Sequence, residues 1–166
     1  MQIHHETEED SSKDVFISNF YRSCLIVNFV VTIKSTNEDF NTIGIKGYGT
    51  YILHYRYATR LYAISVVDVL PHTISSVYFC YDPEFKMLNL GLISALLEIY
   101  LTKLLNTCSK NIIYYSLGYY IKNCPKMAYK SQYQPSFILC PVTLKWVWFE
   151  KCDKEFDLTK YNRLDT

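Results

Sequence analysis

The sequence lacks the residue patterns that usually hold a metal ion. Its six cysteines include no C-x-x-C pair, and none stands at zinc-finger spacing from a histidine. The neighbouring His4 and His5 would point to opposite sides of an extended segment, which disfavours a shared metal. We therefore expect no metal site and reduced cysteines.

Signals for secretion and for general nucleic-acid binding are also missing. The first ten residues are acidic rather than basic and apolar, so we expect no signal peptide and a cytoplasmic or nuclear location. The net charge is only +1. RNA would therefore need a local basic patch, and we expect no DNA partner.

The composition indicates one globular domain over residues 1–166, because 49% of the residues are hydrophobic and 20% are charged. Residues 64–70 and 74–81 are β-branched and aromatic runs, closed by Pro71 and by Asp82-Pro83, and they predict two strands. Further strands are expected at 25–34, 50–57, 111–117 and 146–148. A helix is expected after Ser11 or Ser12.

A long helix is predicted from about Asn89, a plausible N-cap, to residue 106. Apolar residues at helical spacing predict its buried face: Leu92, Ile93, Leu96, Leu97, Ile99, Tyr100, Leu104 and Leu105. Glu98, Thr102 and Lys103 are expected on the other side. Because polar and charged residues interrupt the run, it is expected to be a core helix rather than a membrane span.

Glycines at 44, 47 and 49 superficially suggest a phosphate loop. The segment that follows alternates as in a strand and does not begin a helix, so turns are the better interpretation. A tight turn is expected at Ala58-Thr59, although these residues suit one less well than Asn-Gly or Asp-Gly.

Several motifs occur in one fixed order. They are VDVLP at 67–71, SSVYFCYDPEF at 75–85, LGLISALLEI at 90–99, GYYI at 118–121 and CPKMAYKSQYQPSFILCP at 124–141. Together they resemble the C-terminal domain of the arginyl-tRNA–protein transferases. The resemblance covers roughly residues 2–150.

This resemblance implies an α+β, GNAT-like fold with a mixed, mostly antiparallel sheet flanked by helices. It implies transfer of arginine from Arg-tRNA to proteins with an N-terminal Asp or Glu, as part of protein degradation, without a cofactor. The cysteine-bearing N-terminal domain of the family is expected to be absent from this chain.

The chemistry of amine attack on an aminoacyl ester needs no covalent nucleophile, and the chain has no Ser-His-Asp or Cys-His motif. A carboxylate could take the amine proton. Asp68, an acid inside an apolar strand, is the candidate, unless it is a salt-bridged or turn-capping residue. Ser75, Ser76 and Tyr78 are candidate donors to the oxyanion, unless they only bond each other across the sheet.

A basic and aromatic cluster is predicted where Lys126, Tyr129, Lys130 and Tyr133 lie close in sequence. It would bind tRNA or the acidic substrate, or it would be only a solvated loop. The match to the family adds Tyr119 and the strand residues Tyr51, His54 and Tyr55 as candidate contacts. Ile52, Leu53 and His54 replace residues that are polar in the family, and Gln134 replaces a frequent arginine.

Two other functions compete with this interpretation. A CoA-dependent acetyltransferase would share the fold, but the turn at 82–87 lacks the glycines and basic residues that bind pyrophosphate. A non-catalytic remnant or fragment would bind a partner or peptide without transferring anything. The transferred amino acid also stays open, because related transferases use leucine.

Overall fold

The computed structural model describes residues 28–34, 45, 47–152 and 163–165. The chain divides into two compact units, residues 1–118 and 119–166, and each is described by itself. The expectation of one domain over residues 1–166 stays a prediction. His4, His5 and the helix expected after Ser11 or Ser12 lie outside the described residues.

The first unit contains a five-stranded mixed sheet in the order β1-β2-β3-β4-β5. Its strands are β1 (Asn28–Lys34), β2 (Gly49–Tyr57), β3 (Arg60–Val69), β4 (Thr73–Tyr81) and β5 (Tyr114–Ser116). The three central strands pair antiparallel, whereas β1 and β5 run parallel to their neighbours. The predicted α+β class with a mixed, mostly antiparallel sheet is confirmed.

Short turns connect the central strands. Ala58 and Thr59 join β2 to β3, and Ala58 has a φ of 50°, which is unusual for a residue other than glycine. After β3, the amide of Leu70 donates to the carbonyl of Thr73 at 2.9 Å, so Pro71 ends the strand as predicted. β5 is shorter than the strand expected at 111–117.

The helix α1 (Leu90–Cys108) follows a short 3₁₀ helix, Pro83–Leu88, and connects β4 to β5. A parallel strand pair requires such a crossover. Asn89 precedes α1 as predicted, but it has a φ of 49° and its side chain makes no capping bond. Asp82 caps the 3₁₀ helix instead, by accepting from the amide of Glu84 at 3.1 Å.

The predicted buried face of α1 is wrong. Its buried residues are Leu90, Ser94, Ala95, Glu98, Leu101 and Thr102, whereas Leu92, Ile93, Leu96 and Tyr100 are exposed. Leu97 and Leu105 pack at the margin of the core. Hydrophobic spacing failed because hydrogen bonds to other side chains allow the polar row of Ser94 and Glu98 to face the sheet.

By length and composition, α1 is the one helix in the described residues that could cross a membrane. Its 19 residues meet that test, which core helices of globular proteins also pass. Glu98, in the middle of α1, is fully buried and bonds to tyrosines of β2 and β5. These contacts favour packing on the sheet.

The sheet of the first unit has two faces with different roles. One face of β2 and β3 projects toward the core beneath α1. Its core residues are Tyr51, Leu53, Tyr55, Val67 and Val69. Because successive strand residues alternate, Thr50 and Asp68 project from the opposite face. Ser75 pairs with Asp68 and lies on that opposite face, so its neighbour Ser76 lies on the helix side. A bulge in β4 between the partners of Val66 and Val67 then brings Tyr78 to the face of Ser75.

The second unit contains the short helix α2 (Pro125–Ala128), two 3₁₀ turns (Tyr129–Gln132 and Phe149–Lys151) and a two-stranded antiparallel sheet. Its strands are β6 (Phe137–Leu139) and β7 (Trp146–Trp148). The strand predicted at 146–148 is therefore confirmed. Ile138 and Val147 pack on a small core of Cys140, Cys152 and Leu164.

Candidate functional site

Asp68 lies on β3 beside Thr50 of β2, and the hydroxyl of Thr50 donates to its Oδ1 at 2.6 Å. Thr50 is buried, whereas Asp68 is partly exposed. No ion pair with Asp68 is found in the described part of the chain. The carboxylate is thus held by a neutral hydroxyl, and the polar partner that a strand acid needs is present.

Ser75 is the direct partner of Asp68 on β4, and Tyr78 pairs with Val66 two residues along β3. Cross-strand partners project from the same face, so Ser75 and Tyr78 share the face of Asp68. The structure therefore brings three of the four predicted catalytic residues to one face. Ser76, the fourth, projects to the face covered by α1.

His54 also shares the face of Asp68, but it lies four residues from Thr50 along β2. At a rise of about 3.3 Å per residue this is roughly 13 Å. Partial burial, followed by the nearby charge of Arg56, lowers the pKa of His54. The neutral form of the His54 imidazole is therefore favoured. The ring lies away from the carboxylate of Asp68.

Tyr51 and Tyr55, both predicted to contact substrate, are buried on the helix side of the sheet. The Tyr51 hydroxyl donates to the carbonyl of Gly47 at 2.8 Å. The Tyr55 hydroxyl lies 3.2 Å from Oγ of Ser65 and 3.0 Å from Oγ of Ser94. These contacts give both tyrosines a packing role, and direct contact with substrate stays a prediction.

A buried polar cluster surrounds Glu98, whose exposed fraction is 0%. The hydroxyl of Tyr115 donates to Oε2 at 2.7 Å, and Ser94 donates to Oε1 at 2.9 Å. Tyr55 donates a longer bond of 3.4 Å to Oε1. Among the described residues no cation forms an ion pair with Glu98, so hydroxyl groups alone satisfy the carboxylate.

The environment of this cluster raises the pKa of its two tyrosines, Tyr115 and Tyr55. Burial is the largest cause that raises the pKa of Tyr115, and the negative charge of Glu98 adds to it. The same two causes, in the same order, raise the pKa of Tyr55. A bond to Ser76 partly opposes the shift at Tyr115, so Ser76 belongs to this cluster.

Sequence reasoning missed the Glu98 cluster because it assigned Glu98 and Thr102 to the solvent side. A usable signal was present, since Ser94, Glu98 and Thr102 recur every four residues on one helix face. Three polar residues in one row, within an otherwise apolar helix, indicate a polar partner on the sheet.

The predicted basic and aromatic cluster lies wholly in the second unit. The ammonium of Lys130 donates to the carbonyl of Tyr119 at 2.9 Å, and the rings of Tyr129 and Tyr133 lie 6.3 Å apart. Partial burial lowers the pKa of Lys130. Lys126 is exposed on α2. Lys130 is thus joined to the backbone of Tyr119, and the rings of Tyr129 and Tyr133 contact each other.

Cys140 is buried in the small core of the second unit. Burial opposes ionisation of its thiol, but hydrogen bonds to the sulfur outweigh it and lower the pKa to about 7. One of them comes from the amide of Leu164 at 3.4 Å. Within the described residues there is no group of three His, Cys, Asp or Glu that could hold a metal ion.

The turn between β4 and α1 can be compared with a pyrophosphate-binding loop. It is a 3₁₀ helix whose Glu84 and preceding Asp82 both pair with Arg60, at 2.6 and 2.9 Å. Arg60 also lies 4.8 Å from the centre of the Phe85 ring. Two carboxylates at this turn disfavour an anionic ligand.

Comparison with known proteins identifies the family. Residues 1–140 match the family model described as "Arginine-tRNA-protein transferase, C terminus". Arginyl-tRNA–protein transferase 1 of Dictyostelium discoideum is 48% identical over 105 residues, which are 63% of this chain and 17% of the relative. Arginyl-tRNA–protein transferase 2 of Arabidopsis thaliana is 36% identical over 165 residues, which are 99% of this chain and 26% of the relative.

A bacterial relative is named for the transfer of leucine rather than arginine. The aspartate/glutamate leucyltransferase of Campylobacter jejuni is 36% identical over 96 residues, covering 58% of this chain and 38% of the relative. The chain thus spans well under half the length of these relatives. Because the family model covers most of it, the chain belongs to the arginine-tRNA-protein transferase family.

Proposed function

We propose that this chain transfers arginine from Arg-tRNA to the α-amine of proteins that begin with Asp or Glu, as a step in their degradation, in the cytoplasm or the nucleus. The observation that carries the proposal is the match of residues 1–140 to the family. The geometry adds a carboxylate, Asp68, held by Thr50 on a sheet face that Ser75 and Tyr78 share.

The reaction joins the substrate nitrogen to the carbonyl carbon of the arginyl ester. A free N-terminal amine has a pKa of about 7.7–8, so part of it is neutral and nucleophilic near pH 7. A new C–N bond forms and the bond from the carbonyl carbon to the ribose oxygen breaks. We assign the amine proton to Oδ2 of Asp68, because Oδ1 accepts the Thr50 hydroxyl. The proton then passes to the departing ribose oxygen.

Stabilisation of the oxyanion is assigned to the hydroxyl of Ser75, the direct partner of Asp68. Tyr78, one pair further along the same face, is a second candidate donor. Ser76 bonds Tyr115 on the other face. Its position supports a role in holding Tyr115 rather than in direct contact with the ester.

Binding of tRNA and of the acidic N-terminus is assigned to Lys126, Lys130 and the rings of Tyr119, Tyr129 and Tyr133. Ammonium groups attract phosphates and carboxylates, and phenol rings stack on bases. Tyr51, His54 and Tyr55 are kept as candidate contacts from the family match. The burial of the two tyrosines supports an indirect role for them.

Transfer of leucine is the second candidate function, favoured by the relative from Campylobacter jejuni. Purified chain would be incubated with Arg-tRNA or Leu-tRNA, each labelled in the amino acid, and with peptides that begin with Asp, Glu or Ala. Label from Arg-tRNA on the Asp and Glu peptides alone supports the proposal. Label from Leu-tRNA alone supports the second candidate. No label from folded protein that binds tRNA or peptide would overturn both in favour of a non-catalytic remnant.

A further inference from the structure

The two-stranded sheet of the second unit presents an exposed apolar side. Phe137 pairs with Trp148 and Leu139 pairs with Trp146 across β6 and β7. Paired residues share a face, so these four side chains form one surface, named here the aromatic face. All four are exposed, and Trp146 most of all at 66%. Ile138 and Val147 project to the opposite side, which is packed on its own core.

The aromatic face is held in a defined geometry. The rings of Phe137 and Trp148 lie 4.2 Å apart and 36° from parallel. The hairpin is extended at both ends by backbone bonds, from Cys140 to Lys145 at 2.8 Å and from Phe149 to Ser136 at 2.9 Å. An ordered and exposed aromatic surface is the structure on which single-stranded nucleic acids stack their bases.

The charge distribution distinguishes the second unit from the first. Residues 119–166 contain eight Lys and Arg against five Asp and Glu, whereas residues 1–118 contain nine against eleven. Within the second unit, no acidic residue occurs from Tyr119 to Phe149, a stretch that holds four lysines. Lys145 immediately precedes Trp146. The second unit therefore supplies the excess of positive charge that phosphate binding requires.

We propose that the aromatic face binds unpaired nucleotides of the tRNA, which stack their bases on Trp146 and Trp148. The inference rests on the proposed function, which supplies tRNA as the partner. The face itself carries no charged side chain, so it suits bases, while lysines of the same unit attract the phosphates.

Tryptophan fluorescence reports on this face alone, because the chain contains only two tryptophans. The full chain would be titrated with an RNA acceptor-stem hairpin that ends in four unpaired 3′ nucleotides, and with the same hairpin made blunt. Saturable quenching by the first RNA and little by the second is expected. Trp146→Ala should weaken binding of the overhang RNA about tenfold, and Trp146→Phe much less, because stacking on a base is lost only in the first.

Tyr57→Ala is the matched control, since Tyr57 is an aromatic residue of the first unit that is 74% exposed. Its RNA affinity should equal that of the wild type. The unfolding midpoint of each variant would be measured. If Trp146→Ala unfolds, the comparison of overhang with blunt RNA on the wild type still tests the inference.

The amino-acid transfer assay, run in parallel, separates this inference from the proposed function. Wild-type transfer together with equal RNA affinity in Trp146→Ala would overturn the inference and leave the function standing. Equal quenching by blunt and overhang RNA would also overturn it. So would quenching by a peptide that begins with Asp and not by RNA, because the face would then contact protein. Absence of both transfer and RNA binding would overturn inference and function together.

Discussion

The hydroxyl of Tyr115 donates a 2.7 Å hydrogen bond to Oε2 of Glu98, which links β5 to the middle of α1. The parallel pairing of β5 with β4 covers only three residues, and this bond gives the strand a further attachment, to α1. The other carboxylate oxygen accepts from Ser94 and Tyr55. A buried acceptor with several donors is costly to remove, because each donor loses its partner.

Replacement of Glu98 by alanine should lower the free energy of unfolding by about 3 kcal/mol, through unsatisfied hydroxyls and lost packing. Glu98→Gln should lose less, because one acceptor oxygen remains. Urea unfolding followed by circular dichroism measures both. Glu84→Ala is the control, since Glu84 forms an exposed ion pair with Arg60 and such pairs contribute about 1 kcal/mol or less. Equal losses at Glu98 and Glu84 would contradict the prediction.

Stability should fall at alkaline pH through Tyr115. Burial and the charge of Glu98 raise its pKa in the folded state, whereas an unfolded tyrosine has a pKa of about 10. Above pH 10 the unfolded chain therefore binds fewer protons than the folded chain, and the free energy of unfolding decreases as pH rises.

Tyr115→Phe removes this titration, so its free energy of unfolding should decline less steeply than that of the wild type between pH 9 and pH 11. Urea unfolding at several pH values measures the two slopes. Tyr119→Phe is a suitable control, because Tyr119 is largely exposed. Parallel curves for wild type and Tyr115→Phe would show that Tyr115 does not cause the alkaline loss.

The orientation of α1 can be tested with two leucines of the same helix. Leu96 is 52% exposed and Leu101 is 3% exposed. Leu101→Ala should cost about 2–4 kcal/mol of unfolding free energy, because it leaves a cavity. Leu96→Ala should cost about 0.5 kcal/mol or less. Chemical denaturation measures both losses. A larger loss in Leu96→Ala than in Leu101→Ala would show that the buried face is the one predicted from hydrophobic spacing.

The strands of the first unit could be predicted well from local pattern, because β-branched runs ended by Pro71 or Asp82 carry their own boundaries. The buried face of α1 could not be predicted from local pattern. Leu92 and Leu96 are exposed, whereas Leu90 and Leu101 are buried, so apolar spacing alone reports where leucines lie rather than what covers them. Only the hydroxyls of Tyr55 and Tyr115, distant in sequence, explain why Glu98 faces inward.

The candidate site could be predicted only in part from the local sequence. Asp68 stands out as an acid within an apolar strand, and the structure provides its partner in Thr50. The shared face of Ser75 and Tyr78, which are three residues apart, depends on a β-bulge, which shifts the alternation of side chains without a clear signal in sequence. The aromatic face was missed because an alternating Trp-Val-Trp segment predicts a strand but not which side is covered.

The hairpin between β2 and β3 should become more stable when Ala58 is replaced by glycine. Ala58 has a φ of 50°, where a Cβ atom is strained and glycine is not. The relief should exceed the added flexibility of the unfolded chain and give about 0.5 kcal/mol. Thermal unfolding measures the gain. Ala63→Gly is the contrasting control, because Ala63 is buried within β3 and should be destabilised. A loss of stability in Ala58→Gly would exclude strain at this turn.

Asp68→Asn should reduce the rate of amino-acid transfer by about 100-fold or more, because the amide cannot accept the amine proton. The fold should be retained, since the amide oxygen still accepts the bond from Thr50 that Oδ1 accepts now. Initial rates with labelled Arg-tRNA and a peptide beginning with Asp measure the effect. Asp82→Asn makes the same chemical change at the cap of the 3₁₀ helix, where asparagine caps as well as aspartate, and its rate should match the wild type. Equal rates in Asp68→Asn and wild type would remove Asp68 from the mechanism and leave alignment of amine and ester as the main contribution of this face.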